Sequence, residues 1–324
     1  MGSFYDDWLG LWDRSVDERR RARKVILPEE LQWVKTRQDY RAALLVAPET
    51  GFRTLGGATL LAEIPRGWKT GRHRHGEEAM YILRGKGYSI VGDQRFDWEE
   101  GACLRIPFGA VHQHFNGGDA PVLYYAALAP HLEYFCSVAR FEQLEDCGEV
   151  VSEPRGPEAA GTHDAQGRRI VLHRAAAPAW QRGEADLTVQ DAFQQSLHPQ
   201  MHIVQHETII KLMSAYEDFR GDLVEITDIF VDRAKTSSQK HAHMEALLYV
   251  LQGEGYTVID GEEFRWKPGA AIHIPGPQTV HQHFVTSDKE SRMLRTHFGI
   301  RKYLQPIVKE VFPYQFFEQG KSLA

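Results

Sequence analysis

Short apolar runs and turn signals, glycine prominent among them, alternate over much of this chain. ALLVA and ATLLAEI within residues 40–64, then Tyr81–Leu83, Tyr88–Val91 and Val122–Ala126, each read as a short strand, and strands resume at Leu223–Val231. Gly92-Asp93 and Asp260-Gly261 fall between such runs and predict two-residue hairpin loops. Other stretches depart from the pattern. Residues 3–24 put Trp8, Leu11 and Trp12 on one helical face, with Ser15 and Glu18 at the spacing of a capping box. Residues 201–214 (MHIVQHETIIKLMS) also read as a helix. Between about 148 and 200 the pattern gives way to Pro, Gly, Ala and charge (EPRGPEAAGTHDAQG), which predicts a linker, and 301–324 reads as a helical or irregular tail.

The alternating region occurs twice. HRHGEEAMYILRGKG (73–87) aligns with HAHMEALLYVLQGEG (241–255) at an offset of 168. The same offset carries Tyr88 to Tyr256, Phe96 to Phe264, Trp98 to Trp266, Gly101 to Gly269 and Pro107 to Pro275. HQHF then recurs at His112–Phe115 and His281–Phe284, with the offset slipped to 169. A repeat of this length is a duplicated domain, and many short strands with glycine turns predict a pair of β-barrels or jelly rolls.

Histidine is what the duplication keeps. Residues two apart on a strand face the same way, so His73 and His75 project together, as do His241 and His243. His112 and His281 lie far enough along to return on another strand and close a third corner. Three imidazoles suit iron, copper, nickel, manganese or zinc, so the spacing predicts a metal in each copy without choosing one.

The first copy resembles the cupin signature, G-x5-H-x-H-x3–4-E-x6-G followed by G-x5-P-x-G-x2-H-x3-N. Gly67, His73, His75, Glu78 and Gly85 fill the first half; Gly101, Pro107, Gly109, His112 and Asn116 fill the second. The resemblance covers roughly 50 residues of each copy and implies a bicupin: an all-β chain of two jelly-roll barrels in tandem with flanking helices. The expected boundaries are an N-terminal helical segment (1–40), a first cupin domain (41–140), a linker (141–204), a second cupin domain (205–310) and a C-terminal tail (311–324).

Two departures bear on the chemistry. From His75 to Gly85 is one residue short of the family spacing, and Ala246 stands where Glu78 stands in the first copy. Glu77 and Glu245 are the carboxylates that repeat, and they are the candidate catalytic residues, as ligands in a shortened geometry or as proton-transfer groups beside three-histidine sites. Lys235 and Val285 replace the opening glycine and closing asparagine of the second copy. Three-histidine sites, and the run His112-Gln113-His114-Phe115-Asn116, are similar to the bicupin branch of gentisate, salicylate and 1-hydroxy-2-naphthoate dioxygenases. That resemblance implies an iron(II) dioxygenase cleaving a C–C bond in an aromatic or enolisable small molecule, with O2 as partner. The alternatives are a manganese or nickel decarboxylase, lyase or isomerase, and a non-catalytic binding protein; copper and zinc remain possible metals.

Composition narrows the partners. With 42% hydrophobic and 25% charged residues and a net charge of −6, the chain is not built for nucleic acid or an anionic membrane. RRRARK (19–24) reads as a solvated helix end, and no run of about 18 apolar residues predicts a membrane span. Cys103, Cys136 and Cys147 are odd in number and unpaired in spacing, so a cytoplasmic protein is expected; a homo-oligomer is a separate expectation. His114 and His283 are expected behind the ligands or at the surface, in preference to ligating a metal themselves. His206-Glu207 lacks the second histidine of a zincin and reads as a surface or packing helix. Trp98 and Trp266 read as barrel packing. Arg72, Arg74 and Arg105 are candidate carboxylate anchors, with at least two of them expected on the surface.

Overall fold

The computed structural model describes residues 2–151, 158–181, 206–277, 279–298, 300, 303–304, 307 and 315–323. Its strands fall into four sheets, two to a barrel. In the first barrel the inner sheet runs Val171–His173, Ala102–Ile106, Glu78–Arg84, Val122–Leu128, Ala58–Ile64 and Arg41–Leu44. In the second it runs Val25–Ile26, Ala271–Ile274, Ala246–Gln252, Ser291–Phe298, Val224–Asp232, Thr208–Lys211 and Ala179–Gln181.

These two inner sheets pack back to back, and alternation divides their side chains between two environments. Met80 and Ile82 fill the first barrel with Leu104 and Ala126. Ala79, Tyr81, Leu61 and Tyr125 turn outward and join Ile229, Leu247, Tyr249 and Leu294 of the second domain in one shared core. Leu248, Val250, Phe230 and Met293 fill the second barrel. Tyr125 reaches across the interface, its hydroxyl 2.8 Å from Thr296 Oγ1. Both hairpins form as expected, Val91 pairing Gln94 and Ile259 pairing Glu262 around two-residue loops. Gly92, Asp260 and Gly261 take φ of 63°, 49° and 89° there.

Each barrel is completed by a strand from outside its own repeat. Val25 and Ile26 pair with Ile272 and Ala271 of the second barrel. Val171 and Leu172, from the stretch expected to be a linker, pair with Leu104 and Cys103 of the first. The repeat offset of 168 carries Leu104 to Ile272, so the two arms are equivalent and each domain's arm covers the other's edge strand. An open edge exposes unpaired amides and carbonyls, which explains why both are covered.

Several local expectations are corrected. The capping box sits at Ser3 and Asp6, at the start of helix α1 (Phe4–Leu9), while Ser15 and Glu18 lie inside helix α2 (Leu11–Arg21). Neither helix buries a residue. The basic cluster is only partly solvated: the Lys24 amine is buried and caps α2 through the carbonyls of Arg19, Arg20 and Ala22. Within 201–214, residues 201–205 lie outside the described residues and Thr208–Lys211 is a strand, because its apolar side chains face two buried cores. His206 is buried, stacked on Phe230 at 4.0 Å, with Nδ1 2.8 Å from Asp232 Oδ2. The tail expected to be helical or irregular contributes a strand, Gln315–Glu318, beside Lys240–His243. Among the described residues no helix is long and apolar enough to cross a membrane.

Ile26 is 2% exposed within the shared core. Ile26→Ala is expected to lower the stability of the whole chain by about 2–4 kcal/mol in urea unfolding; a loss under about 1 kcal/mol would mean that the arm frays independently of the barrel it covers.

Candidate metal centres

Strand register delivers the first cluster. His73 lies in strand Arg72–Arg74 directly opposite His112, the first residue of strand His112–Asn116. His75 follows two residues after His73 on the same face, and Glu78 opens strand Glu78–Arg84. One ligand atom from each of His73, His75, Glu78 and His112 lies within 4.8 Å of the others. Imidazole centroids are 4.2 Å apart for His73 and His112, 4.8 Å for His73 and His75, and 4.9 Å for His75 and His112. Glu78 Oε2 stands 3.4 Å from His75 Nε2 and 3.3 Å from His112 Nε2. Phe141 stacks on the outer side of His75 at 4.9 Å.

The electrostatics favour a neutral His73 and an anionic Glu78. Burial first, then the neighbouring imidazoles of His112 and His75, pushes His73 down to about 2. Burial alone would raise the Glu78 carboxyl, but contact with His112 and His75 holds it well below the usual range. His112 Nδ1 lies 2.8 Å from the Ala110 carbonyl, a contact that places the proton on Nδ1 and leaves Nε2 as a lone pair. His75 Nδ1 and Nε2 and His112 Nε2 are buried with no hydrogen-bond partner. Buried polar atoms are rarely left so, and a cation among these four residues would satisfy the two Nε2 atoms.

The second cluster repeats the first with one member removed. His241 pairs directly with His281, and His243 completes the triad within the same 4.8 Å limit. Centroids are 4.2 Å apart for His241 and His281, 4.7 Å for His243 and His281, and 5.1 Å for His241 and His243. His241 Nδ1 and His281 Nδ1 contact the carbonyls of Gln239 and Thr279 at 2.8 and 3.0 Å; His243 Nδ1 contacts that of Met244. Burial pushes His281 down to about 4. Ala246 occupies the place of Glu78 and supplies no ligand.

The comparisons with known proteins agree with this architecture. The family described as "Cupin domain" matches residues 60–128 and again 230–297. The chain is a bicupin. It is 23% identical over 305 residues to 5-aminosalicylate 1,2-dioxygenase from Comamonas sp, a match covering 85% of this chain and 74% of that one. Among solved structures it resembles salicylate 1,2-dioxygenase from Pseudoaminobacter salicylatoxidans (TM-score 0.62, 15% identity, 95% of this chain and 89% of that one). It also resembles an oxalate decarboxylase mutant of Bacillus subtilis (TM-score 0.60, 11% identity, 92% and 89%).

The six predicted histidines of this bicupin are thus brought together in two threes, but Glu77 and Glu245 join neither cluster. Glu78 does, and strand alternation is the signal that separates it from its neighbour: Glu78 faces the barrel, Glu77 the opposite domain. Arg72 and Arg74 are surface residues paired with Glu145 and Glu142, whereas Arg105 is buried against Glu77. His114 and His283 are buried behind the clusters in duplicate networks. Trp98 Nε1 donates to Ser89 Oγ at 2.8 Å, which lies 2.7 Å from His114 Nδ1. Trp266 Nε1 donates to Thr257 Oγ1 at 3.1 Å, which lies 2.8 Å from His283 Nδ1. The first bicupin barrel also holds a group with no repeat signal to announce it: Asp39, which accepts the Tyr124 hydroxyl at 2.6 Å.

Metal analysis of the iron(II)-loaded bicupin is expected to give two ions per chain, falling to one in either His112→Ala or His241→Ala with far-UV circular dichroism unchanged. A full complement in His112→Ala would place the metal elsewhere. Burial raises Asp39 to about 7, so its contribution to stability is complete below the ordinary carboxylate range and is lost as pH rises through about 7. Asp39→Asn should therefore flatten the fall in Tm between pH 5 and 8; an identical fall in the variant would show that Asp39 does not titrate there.

Proposed function

We propose that this bicupin is a metal-dependent enzyme, an iron(II) dioxygenase that cleaves a C–C bond in an aromatic or enolisable small molecule. The observation that carries this reading is the pair of inward-facing imidazole clusters, in the first of which buried Nε2 atoms make no hydrogen bond and converge on the Glu78 carboxylate. Iron(II) held there would supply a Lewis-acidic, one-electron centre for O2 and a chelating substrate. The protein's own contribution is orientation and dryness. The backbone contacts of His112, His241 and His281 fix each ring and its tautomer. The barrels keep His73, His75 and His112 at 5%, 2% and 1% exposure, which excludes bulk water from the reacting groups. His114, driven by burial down to about 3, is a neutral donor or acceptor at the cluster's rear. Similarity to two ring-cleaving dioxygenases supports the substrate class.

Glu78 favours a second reading. A carboxylate beside three imidazoles makes the first site harder and more anionic than the second, a donor set that also suits manganese and a decarboxylase or lyase reaction without net oxidation. The fold shared with oxalate decarboxylase is compatible with it.

An oxygen electrode separates the two. Iron(II)-loaded protein is expected to consume O2 with at least one of salicylate, gentisate, 5-aminosalicylate or 1-hydroxy-2-naphthoate, and the one of His112→Ala and His241→Ala that empties the working site to reduce that rate about 100-fold or more. Carbon dioxide release from a carboxylic acid by manganese-loaded protein, with no O2 uptake on the aromatic panel, would replace the first reading by the second. Full metal loading with no turnover on either panel would leave a binding protein.

A further inference from the structure

The two carboxylates that repeat between the copies reach the opposite domain. Glu77 Oε2 accepts the backbone amides of Leu223 at 2.7 Å and Val224 at 3.1 Å, while Oε1 accepts Arg105 Nε at 2.9 Å. Glu245 Oε1 accepts the backbone amide of Leu55 at 3.1 Å and lies 2.7 Å from His273 Nε2. The offset of 168 that relates Glu77 to Glu245 also relates Arg105 to His273 and Leu55 to Leu223. The contacts are therefore one two-fold set: each domain's glutamate grips the backbone amide that is the copy of the one gripped by its counterpart. Both carboxylates are buried, at 0% and 3% exposure.

What they restrain is the turn that carries the clusters. His75-Gly76-Glu77-Glu78 joins two of the four candidate ligands with two residues between them, one fewer than the family spacing. The turn is pinned on its other sides as well. The His75 carbonyl accepts Gly109 N at 2.9 Å, and Glu133 Oε1 accepts Glu77 N at 3.2 Å. A Cβ on Gly76 would lie 1.8 Å from Glu133 Oε1, so the turn packs directly on this carboxylate of helix α3 (Pro130–Cys136). In the second domain, a Cβ on Gly276 would lie 2.6 Å from Glu245 N, so backbone packs closely on that turn too. Because neighbours on a strand point to opposite faces, fixing the Glu77 carboxylate on one face fixes where Glu78 points on the other.

We propose that Glu77 and Glu245 are positioning residues, each setting the metal affinity of its own barrel by docking on the other domain. Neither carboxylate touches the metal. The effect is larger in the first barrel, where the clamp comprises a guanidinium and two amides and the turn delivers a carboxylate ligand. The proposal rests on the clusters being metal sites, and not on iron or on any reaction.

Cobalt(II) tests it, because its visible bands report ligand geometry and it needs no O2. His241→Ala leaves the first site to be titrated alone. In that background Glu77→Ala is expected to raise the cobalt Kd about tenfold, the lower end of what loss of an outer partner costs a metal site. Glu77→Gln, which keeps an oxygen for Leu223 and Val224 and secures a folded variant, is expected to raise it less. Glu245→Ala breaks the other clamp and should leave the first-site Kd within about twofold, which a general loosening of the interface would not do. In a His73→Ala background the two glutamates exchange roles. An unchanged Kd in Glu77→Ala, or equal losses from Glu77→Ala and Glu245→Ala, overturns the proposal. Failure of cobalt to bind the unsubstituted protein would instead overturn the metal-site reading beneath it.

Discussion

An inner sheet buried on both faces is the constraint from which the rest of this molecule follows. Strand Glu78–Arg84 is covered by its own barrel on one side and by the opposite domain on the other. A side chain entering it must suit one of two cores, and a shift of one residue would exchange them. Apolar residues meet that demand by packing. The polar ones meet it by finding a specific partner: Glu78 among imidazoles, Glu77 among amides and a guanidinium. A buried charge without such a partner costs several kcal/mol, so the position of each carboxylate is strongly determined once the strand is in register.

The duplication has kept this scaffold and varied what it holds. Both barrels retain the cross-strand pairing of first and third histidines, the carbonyl contacts behind the rings, and the tryptophan-to-hydroxyl-to-histidine network. They differ at Glu78 and Ala246, which gives one site an internal negative charge and the other none. Two sites of unequal charge in one chain respond differently to the hardness of a metal ion. The interiors diverge further on. Leu60 and Ala126 of the first barrel have Asp228 and Arg295 as their counterparts in the second, and Asp228 is held by Arg295, Lys211 and the Thr227 hydroxyl.

Much of this was legible in the sequence because it repeats. The histidines, the hairpin loops and the alternating strands are local patterns, and duplication makes each stand out twice. The sheet containing Thr208–Lys211 was not legible, since a short apolar run buried on two sides has no period to distinguish strand from helix. Repetition also drew attention to Glu77 and Glu245 in preference to Glu78. Their carboxylates instead contact backbone amides at the interface between copies, which no single copy encodes. Asp39, Tyr124 and the arm at Val171 escaped for the same reason: their partners are distant in sequence and their neighbours form no motif.

The crossed arms give the chain the topology of a strand-exchanged dimer whose subunits have been joined. The strand that completes the second barrel lies before the first, and the strand that completes the first lies between the two. No single cut can therefore separate this protein into two whole barrels. Severed after Ala177, the first half keeps its own closing strand and carries away the one that belongs to the second. Severed before Val171, both halves are left with a bare edge, each shaped to accept the other's arm or that of another copy. A chain with this arrangement carries two histidine clusters in barrels that no single cut can part.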